Sequence, residues 1–268
     1  MSKNQVYAAS KNMLINATLP VTTRTYKAIA HEQLVDLTLE SIQQSGFVLE
    51  SESYTMAREG NVANGKFTIS NIKDTEMQLQ IGWQNSYDKS LTLKFAMGTH
   101  IFICQNGCVS GDMGAFKKKH VGEIQTFTPY AISEYIKTAG DVFMQMQHER
   151  EAMKQIELSK RITSELVGRM YLESDFIEST QLNIIKRELS RPTHKYGANN
   201  SLWELYQFTT FSMKDIHPSL WMSNHIDAHK FFVNASGLLI NKEDSTPAIF
   251  ADPSPFTQLS WLDEVAEV

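Results

Sequence analysis

Two hydrophobic periods divide this chain. Between residues 47 and 104, apolar side chains recur at every second position: Met77, Leu79, Ile81 and Trp83, then Leu91, Leu93, Phe95 and Met97. A period of two puts such residues on one face of a strand. Gly60, Asn64-Gly65, Asn71, Asn85 and Asp88 punctuate the region, with Asn-Gly and Tyr-Asp-Lys-Ser read as hairpin corners. The pattern predicts an antiparallel meander of about four or five strands. One face is apolar. The other carries Gln78, Gln80, Gln84, Thr92 and Lys94, and is either solvated or covered by something polar.

On either side of the meander the period is helical. Ala28, Val35, Leu39 and Ile42 predict a helix over residues 28–45, with Gly46 at the position of a C-cap glycine. Residues 21–28, rich in β-branched side chains, read as a short strand or an extended arm. From Pro129 onward, Ile132, Ile136, Ala139, Phe143, Met146 and Met153 form a heptad-like stripe. Arg150 interrupts it, and it resumes, shifted, with Ile156, Ile162, Leu166 and Met170. Further helices are predicted over residues 174–190, stopped by Arg191-Pro192, over residues 202–213 and over residues 221–233. The fold class is therefore α+β: an N-terminal helix, the meander, then a mainly α-helical second half. The expected division is an α+β meander region at 1–127, a helical region at 128–240 packing on it or extending from it, and a flexible, proline-containing acidic tail at 241–268.

Composition narrows the setting more than the function. The 268 residues suffice for one or two domains, and 42% hydrophobic with 21% charged content is that of a globular protein. A net charge of -5 argues against a chain that coats nucleic acid over its whole surface, but leaves room for a local basic groove. Cys104 and Cys108, the two cysteines, make no disulfide framework, so a reducing cytoplasm is expected. No long apolar leader opens the chain, and no apolar run approaches the ~18 residues of a membrane span, so no membrane partner is expected.

Candidate chemistry concentrates between Leu91 and Gly122. Lys117, Lys118, Lys119 and His120 follow a glycine-rich corner containing Asn106, Gly107 and Gly114. Ammonium groups beside backbone that a ligand can approach closely are suited to a phosphate chain, and the alternative is a solvated run. Lys186, Arg187 and Arg191, with His194 and Lys195 beyond, form a second cluster at a helix end, where cations also favour the dipole. Trp83, Tyr87, Phe102, Phe116 and Tyr196 lie near these stretches, and aromatics among cations are the usual recipe for single strands. His100, Cys104, Cys108 and His120 contain zinc-ligand types without a zinc-knuckle spacing. His225 and His229, four apart with Asp227 between them, read as a polar helix face or a metal site. The glycine-rich nucleotide loops and the serine-nucleophile motif do not occur, so no catalytic residue, metal or cofactor is assigned.

Two stretches carry a family resemblance. THIFICQNGCVSG followed by KKKHVG contributes Cys104, Asn106, Gly107 and Lys117 to His120, and GANNSLWELYQFTTF contributes Trp203 and Thr209. Both resemble the phage/plasmid-like protein family, catalogued as a domain of unknown function. That resemblance implies a bacteriophage protein acting in the bacterial host cytoplasm, and brings no catalytic residues with it. The order helix, meander, helix is also similar in outline to phage single-strand annealing proteins. The expectation is a non-catalytic protein that binds or anneals single-stranded DNA, forms a homo-oligomer, and uses Lys117, Lys118, Lys119, His120, Asn106, Lys186, Arg187 and Arg191. The alternative is an interaction factor for a host or phage protein, with no nucleic-acid role.

Overall fold

A seven-stranded antiparallel sheet takes up most of the first half of the chain, and helices take up most of the second. The computed structural model describes residues 6–70, 74–101, 107–109, 115–122, 124–174, 176–214, 216 and 218–243. In chain order the elements are β1 (Tyr7–Ala9), α1 (Lys11–Ile15), α2 (His31–Gln44), β2 (Val48–Ala57), β3 (Val62–Ser70), β4 (Met77–Ser86), β5 (Leu93–Ile101), β6 (Gly107–Val109) and β7 (Ala115–Lys118). They continue with α3 (Ile124–Lys137), α4 (Ala139–Gln155), α5 (Lys160–Leu172), α6 (Ser179–Ser190), α7 (Leu202–Ser212) and α8 (Pro218–Glu243). The fold is α+β. The meander consists of the four long strands β2 to β5. Short β1 adds to one edge, and the outer edge of β5 is shared by β6 at residues 98–100 and β7 at residues 93–96.

The register explains why the alternation works. Phe67, Ile81 and Met97 lie opposite one another across three strands, as do Gly65, Trp83 and Phe95. This face is fully buried and joins Leu34, Val35 and Ile42 of α2 and Ile132, Ile136 and Phe143 of α3 and α4 in one core. The same core continues through Leu166, Tyr206 and Phe232 of α5, α7 and α8. Each such side chain stabilises the fold by roughly 1.5–3 kcal/mol through burial.

Two of the expected features are corrected. Asn64-Gly65 is not a corner but lies inside β3, opposite Gln84 and Trp83. A Cβ at Gly65 would sit 2.5 Å from Trp83 Cε2, so the glycine is there to let the indole lie flat across the neighbouring strand. The true corners are residues 58–61, where Arg58 and Glu59 take positive φ, and residues 87–90, where Asp88 Oδ1 accepts the Ser90 backbone N–H at 3.0 Å. The stripe from Pro129 to Met170, read with an interruption at Arg150, lies on three helices, and Arg150 falls inside the second of them. The chain breaks at Thr138 and again at residues 156–159, where the Ile156 carbonyl accepts from Leu202 N (2.9 Å) and Leu158 N donates to the Asn200 carbonyl (2.7 Å). Backbone pairing to the segment before α7 replaces the helical bonds there.

Arg150, which interrupts the stripe, ties α4 to the start of β4. Its Nη1 donates to both Asp74 oxygens at 2.8 and 2.9 Å, and Lys154 Nζ reaches Glu76 at 2.6 and 2.7 Å. Asp74 also accepts from Gln147 and from the Glu76 and Met77 backbone N–H groups. Burial alone would raise its pKa, but these hydrogen bonds outweigh burial and hold the carboxyl well below the usual range. Removing one partner leaves the other charge buried. Asp74→Ala is expected to cost about 3–5 kcal/mol in urea unfolding at pH 7. The deficit relative to wild type should be full above the unfolded carboxylate range near ~3.9 and shrink as pH falls from there toward the depressed folded value.

Candidate nucleic-acid interface

The polar face of the sheet is where the basic residues meet. Strand register places Asn64, Gln84, Lys94 and Lys117 in one row and Lys66, Gly82, Ala96 and Ala115 in the next. Alternation puts both rows on the same side. The N-terminal half of α8 lies over them: Met222 packs on Ala96, and both Met222 and Trp221 come close to Gly82. The face expected to be solvated or covered by something polar is thus covered in part by apolar side chains, and Gln84 beneath them is fully buried, donating to Asn64 Oδ1 at 3.0 Å.

Three lysines on this face bear directly on its chemistry. Lys94 and Lys117 are directly opposite each other, an arrangement that costs stability when the charges are alike. Burial lowers the Lys94 pKa, Lys117 lowers it further, and Asp227 on α8 offsets part of this. Lys66 Nζ lies 4.1 Å from the centre of the Trp221 ring, and burial lowers its pKa too. Among the described residues no carboxylate pairs with Lys66. A desolvated cation held against an aromatic face, beside a like-charged pair, is an arrangement that an anion would relieve.

The basic run from Lys117 to His120 splits up. Lys117 joins the polar face. Lys118 pairs with Leu93 and turns to the opposite side, its Nζ 4.4 Å from the Phe127 ring of α3. Lys119 leaves the strand and is exposed. His120 points inward, 5% exposed, with Nε2 donating to Asn85 Oδ1 at 2.7 Å. Asn106 lies outside the described residues. Lys186, Arg187 and Arg191 are exposed on α6 and just after it, where Arg187 pairs with the buried Glu188 at 3.2 Å. Glu188 also accepts the Thr193 N–H and hydroxyl, which closes the helix end. Lys66 and Trp221 were not singled out as site residues from sequence. The alternation of Lys66 with Phe67 carries the signal for the first, whereas Trp221 comes from a helix 155 positions further on and has no local signal.

A buried polar network sits behind the corner between β4 and β5. Asn85 Nδ2 donates to the Ile29 carbonyl at 2.8 Å and lies 3.0 Å from His31 Nδ1, which accepts. His31 Nε2 then donates to the Gly60 carbonyl at 3.1 Å, and the ring stacks on Tyr87 at 3.9 Å. Burial pushes His31 down to about 4, with the Gly60 bond opposing and His120 adding to the fall. Burial likewise lowers His120.

The two histidines of α8 go to different neighbours. His225 tilts against Trp221 at 5.1 Å, while His229 lies between the Tyr206 hydroxyl and a Glu149 carboxylate oxygen, 3.2 Å from each. Among the described residues, no group of three or more His, Cys, Asp or Glu side chains is placed to hold a metal. The side chains of His100, Cys104 and Cys108 lie outside what the structure describes.

Fold and site together define an α+β protein whose basic sheet face is roofed by a helix. A family model described as "Domain of unknown function (DUF932)" matches residues 18–220, and the chain belongs to that family. Comparisons with curated proteins and with solved structures return no match. No helix among the described residues is long and apolar enough to cross a membrane. Trp203 and Thr209 prove to be core residues of α7: Trp203 meets Tyr206 edge-on, and the Thr209 hydroxyl bonds the Leu205 carbonyl.

The histidine network makes a pH prediction. Folded chain keeps His31 neutral down to about pH 4, whereas unfolded chain protonates it near ~6.5. The stability from this group is complete above that range and falls, as pH drops from ~6.5 to ~4, by about 3 kcal/mol. His31→Gln should flatten the pH dependence of the unfolding free energy across that window. Parallel curves for variant and wild type would show that His31 does not carry it.

Proposed function

We propose that the protein binds single-stranded nucleic acid, without catalysis, along the polar sheet face beside α8. The observation that carries this reading is the Lys94–Lys117 cross-strand pair on the same face as Lys66 and Trp221. Like charges directly opposed cost stability, and phosphate anions would turn that cost into attraction. Trp221, half-buried at the start of α8, offers a ring on which a base can stack while Lys94 and Lys117 meet the backbone. With a net charge of -5 for the whole chain, attraction to phosphate needs a local basic surface such as this face.

Fluorescence anisotropy with a labelled single strand, measured over a salt series, tests the reading. Wild type should bind with strong salt dependence. Lys94→Ala/Lys117→Ala should weaken binding and reduce the slope of log affinity against log salt by about 0.7 for each lysine removed. Trp221→Ala should cost about 1–3 kcal/mol of affinity. A triple alanine variant at Lys186, Arg187 and Arg191 is the counter-arm: loss of binding there, with none in the sheet variant, moves the interface to α6. Absence of salt-sensitive binding sinks the reading and leaves the interaction-factor alternative.

A further inference from the structure

The corner between β4 and β5 closes a separate pocket of about 370 Å³, lined among others by Tyr26, Lys89, Ser90, Thr92, Lys119 and His120. Its lining contains two ammonium groups and no carboxylate. Among the described residues neither Lys89 nor Lys119 has an acidic partner. The adjacent acid, Asp88, is already engaged: Arg58 Nη1 meets it at 3.1 Å, and Ser90 donates to its other oxygen. Lys89 is held at φ +65, a left-handed conformation costly for a residue with a Cβ, and its Nζ stands 5.0 Å from the Tyr26 ring. Strain of this kind persists where surrounding structure fixes it, and here it fixes a cation at the rim of a pocket.

The floor of the pocket is rigid. The Tyr26 and His120 rings lie 5.6 Å apart. The Tyr26 hydroxyl is within 3.1 Å of the Ser86 and Tyr87 carbonyls, and His120 is fixed by Asn85. Thr25 and Thr92 add hydroxyls to the walls, whereas the Ser90 hydroxyl donates to Asp88. A volume of this size lies within the usual small-molecule range of roughly 300–1,000 Å³ and exceeds what a bare inorganic anion fills. Two unpaired cations with hydroxyl donors above a ring-lined floor suit an anionic group attached to a larger organic body.

We propose that this pocket binds a phosphate monoester of nucleotide size, with Lys89 and Lys119 gripping the phosphate. The proposal does not rest on strand binding at the sheet face. The monoester can be a free mononucleotide or the 5′-terminal phosphate of a strand, and the experiment separates the two.

Isothermal titration of the full chain with a nucleoside 5′-monophosphate, the parent nucleoside and inorganic phosphate is the direct test. The monophosphate should bind, with the nucleoside and inorganic phosphate each at least about tenfold weaker. Lys119→Ala should weaken the monophosphate by about tenfold or more, and so should Lys89→Asn, since asparagine tolerates the left-handed backbone. Thermal unfolding of both variants checks that they fold. Lys94→Ala/Lys117→Ala should leave mononucleotide affinity unchanged, which separates this site from the sheet face. A 5′-phosphorylated strand preferred over its 5′-hydroxyl counterpart, with the preference lost in Lys119→Ala, assigns the site to strand ends. Equal binding of the two strands, with the mononucleotide retained, assigns it to free nucleotides. Equal binding of nucleoside and monophosphate, or undiminished affinity in a folded Lys119→Ala, overturns the proposal.

Discussion

The side-chain amide of Asn85 joins three stretches of chain that strand pairing alone would leave apart. Its nitrogen reaches Ile29 and His31 at the entry to α2, and its oxygen accepts the Nε2–H of His120 just beyond β7. A buried amide with its bonds made is stabilising; with one partner removed it leaves polar atoms stranded in a low-dielectric interior. Burial lowers the pKa of both histidines, and the Asn85 bonds fix the orientation of their rings. This bond network sets where the chain goes after β7. Regular alternation would place Lys119 on the same side as Lys117, but the strand ends at Lys118 and the turn to His120 carries Lys119 away to the pocket rim. One short basic run thus supplies lysines to two different surfaces, because one asparagine draws its last residue inward.

The cations of the sheet face are arranged against folding stability. Lys94 faces Lys117 across the strand pair, and Lys66 is desolvated beneath an indole. Both carry a cost in the free protein: opposed like charges repel, and burying an ammonium weakens its protonated form, which the indole face offsets only in part. The surroundings supply what compensates. The opposite side of the same strands is packed with Phe67, Ile81, Trp83 and Phe95, and the Asp74–Arg150 and Glu76–Lys154 pairs bind the start of β4 to α4. Groups that destabilise the resting state while the scaffold stays rigid are the usual mark of a surface shaped for a ligand.

Much of this fold could be read from the alternation alone, because one fully buried face gives an unambiguous period of two. Met77, Leu79, Ile81 and Trp83 all point where their spacing puts them. Misreadings came where a residue type has two uses. Asn-Gly usually turns a hairpin, yet Gly65 is flat strand because Trp83 needs the space above it. The stripe after Pro129 reads as interrupted at Arg150, whereas the helix continues there and breaks elsewhere, since helical periodicity survives a short break. The break at residues 156–159 comes with backbone bonds to residues 200–202, and no local pattern reports those. The candidate site was legible in part: Lys117 and Lys94 each carried a signal, and their pairing did not. Trp221 entered through tertiary packing alone.

The run KKKH shows why charge clusters in sequence mislead about shared surfaces. In a strand, neighbouring side chains point to opposite faces, so three successive lysines cannot grip one ligand unless the strand is broken. Lys118 confirms the rule by crossing to Phe127. Lysines that do share a face come instead from different strands in register, one from β3, one from β5 and one from β7. A basic face on a sheet is therefore written across hairpins, at separations set by loop lengths. Here the row from Asn64 through Gln84 and Lys94 to Lys117 spans four strands, and its two cations stand next to each other only because β7 folds back onto the edge of β5.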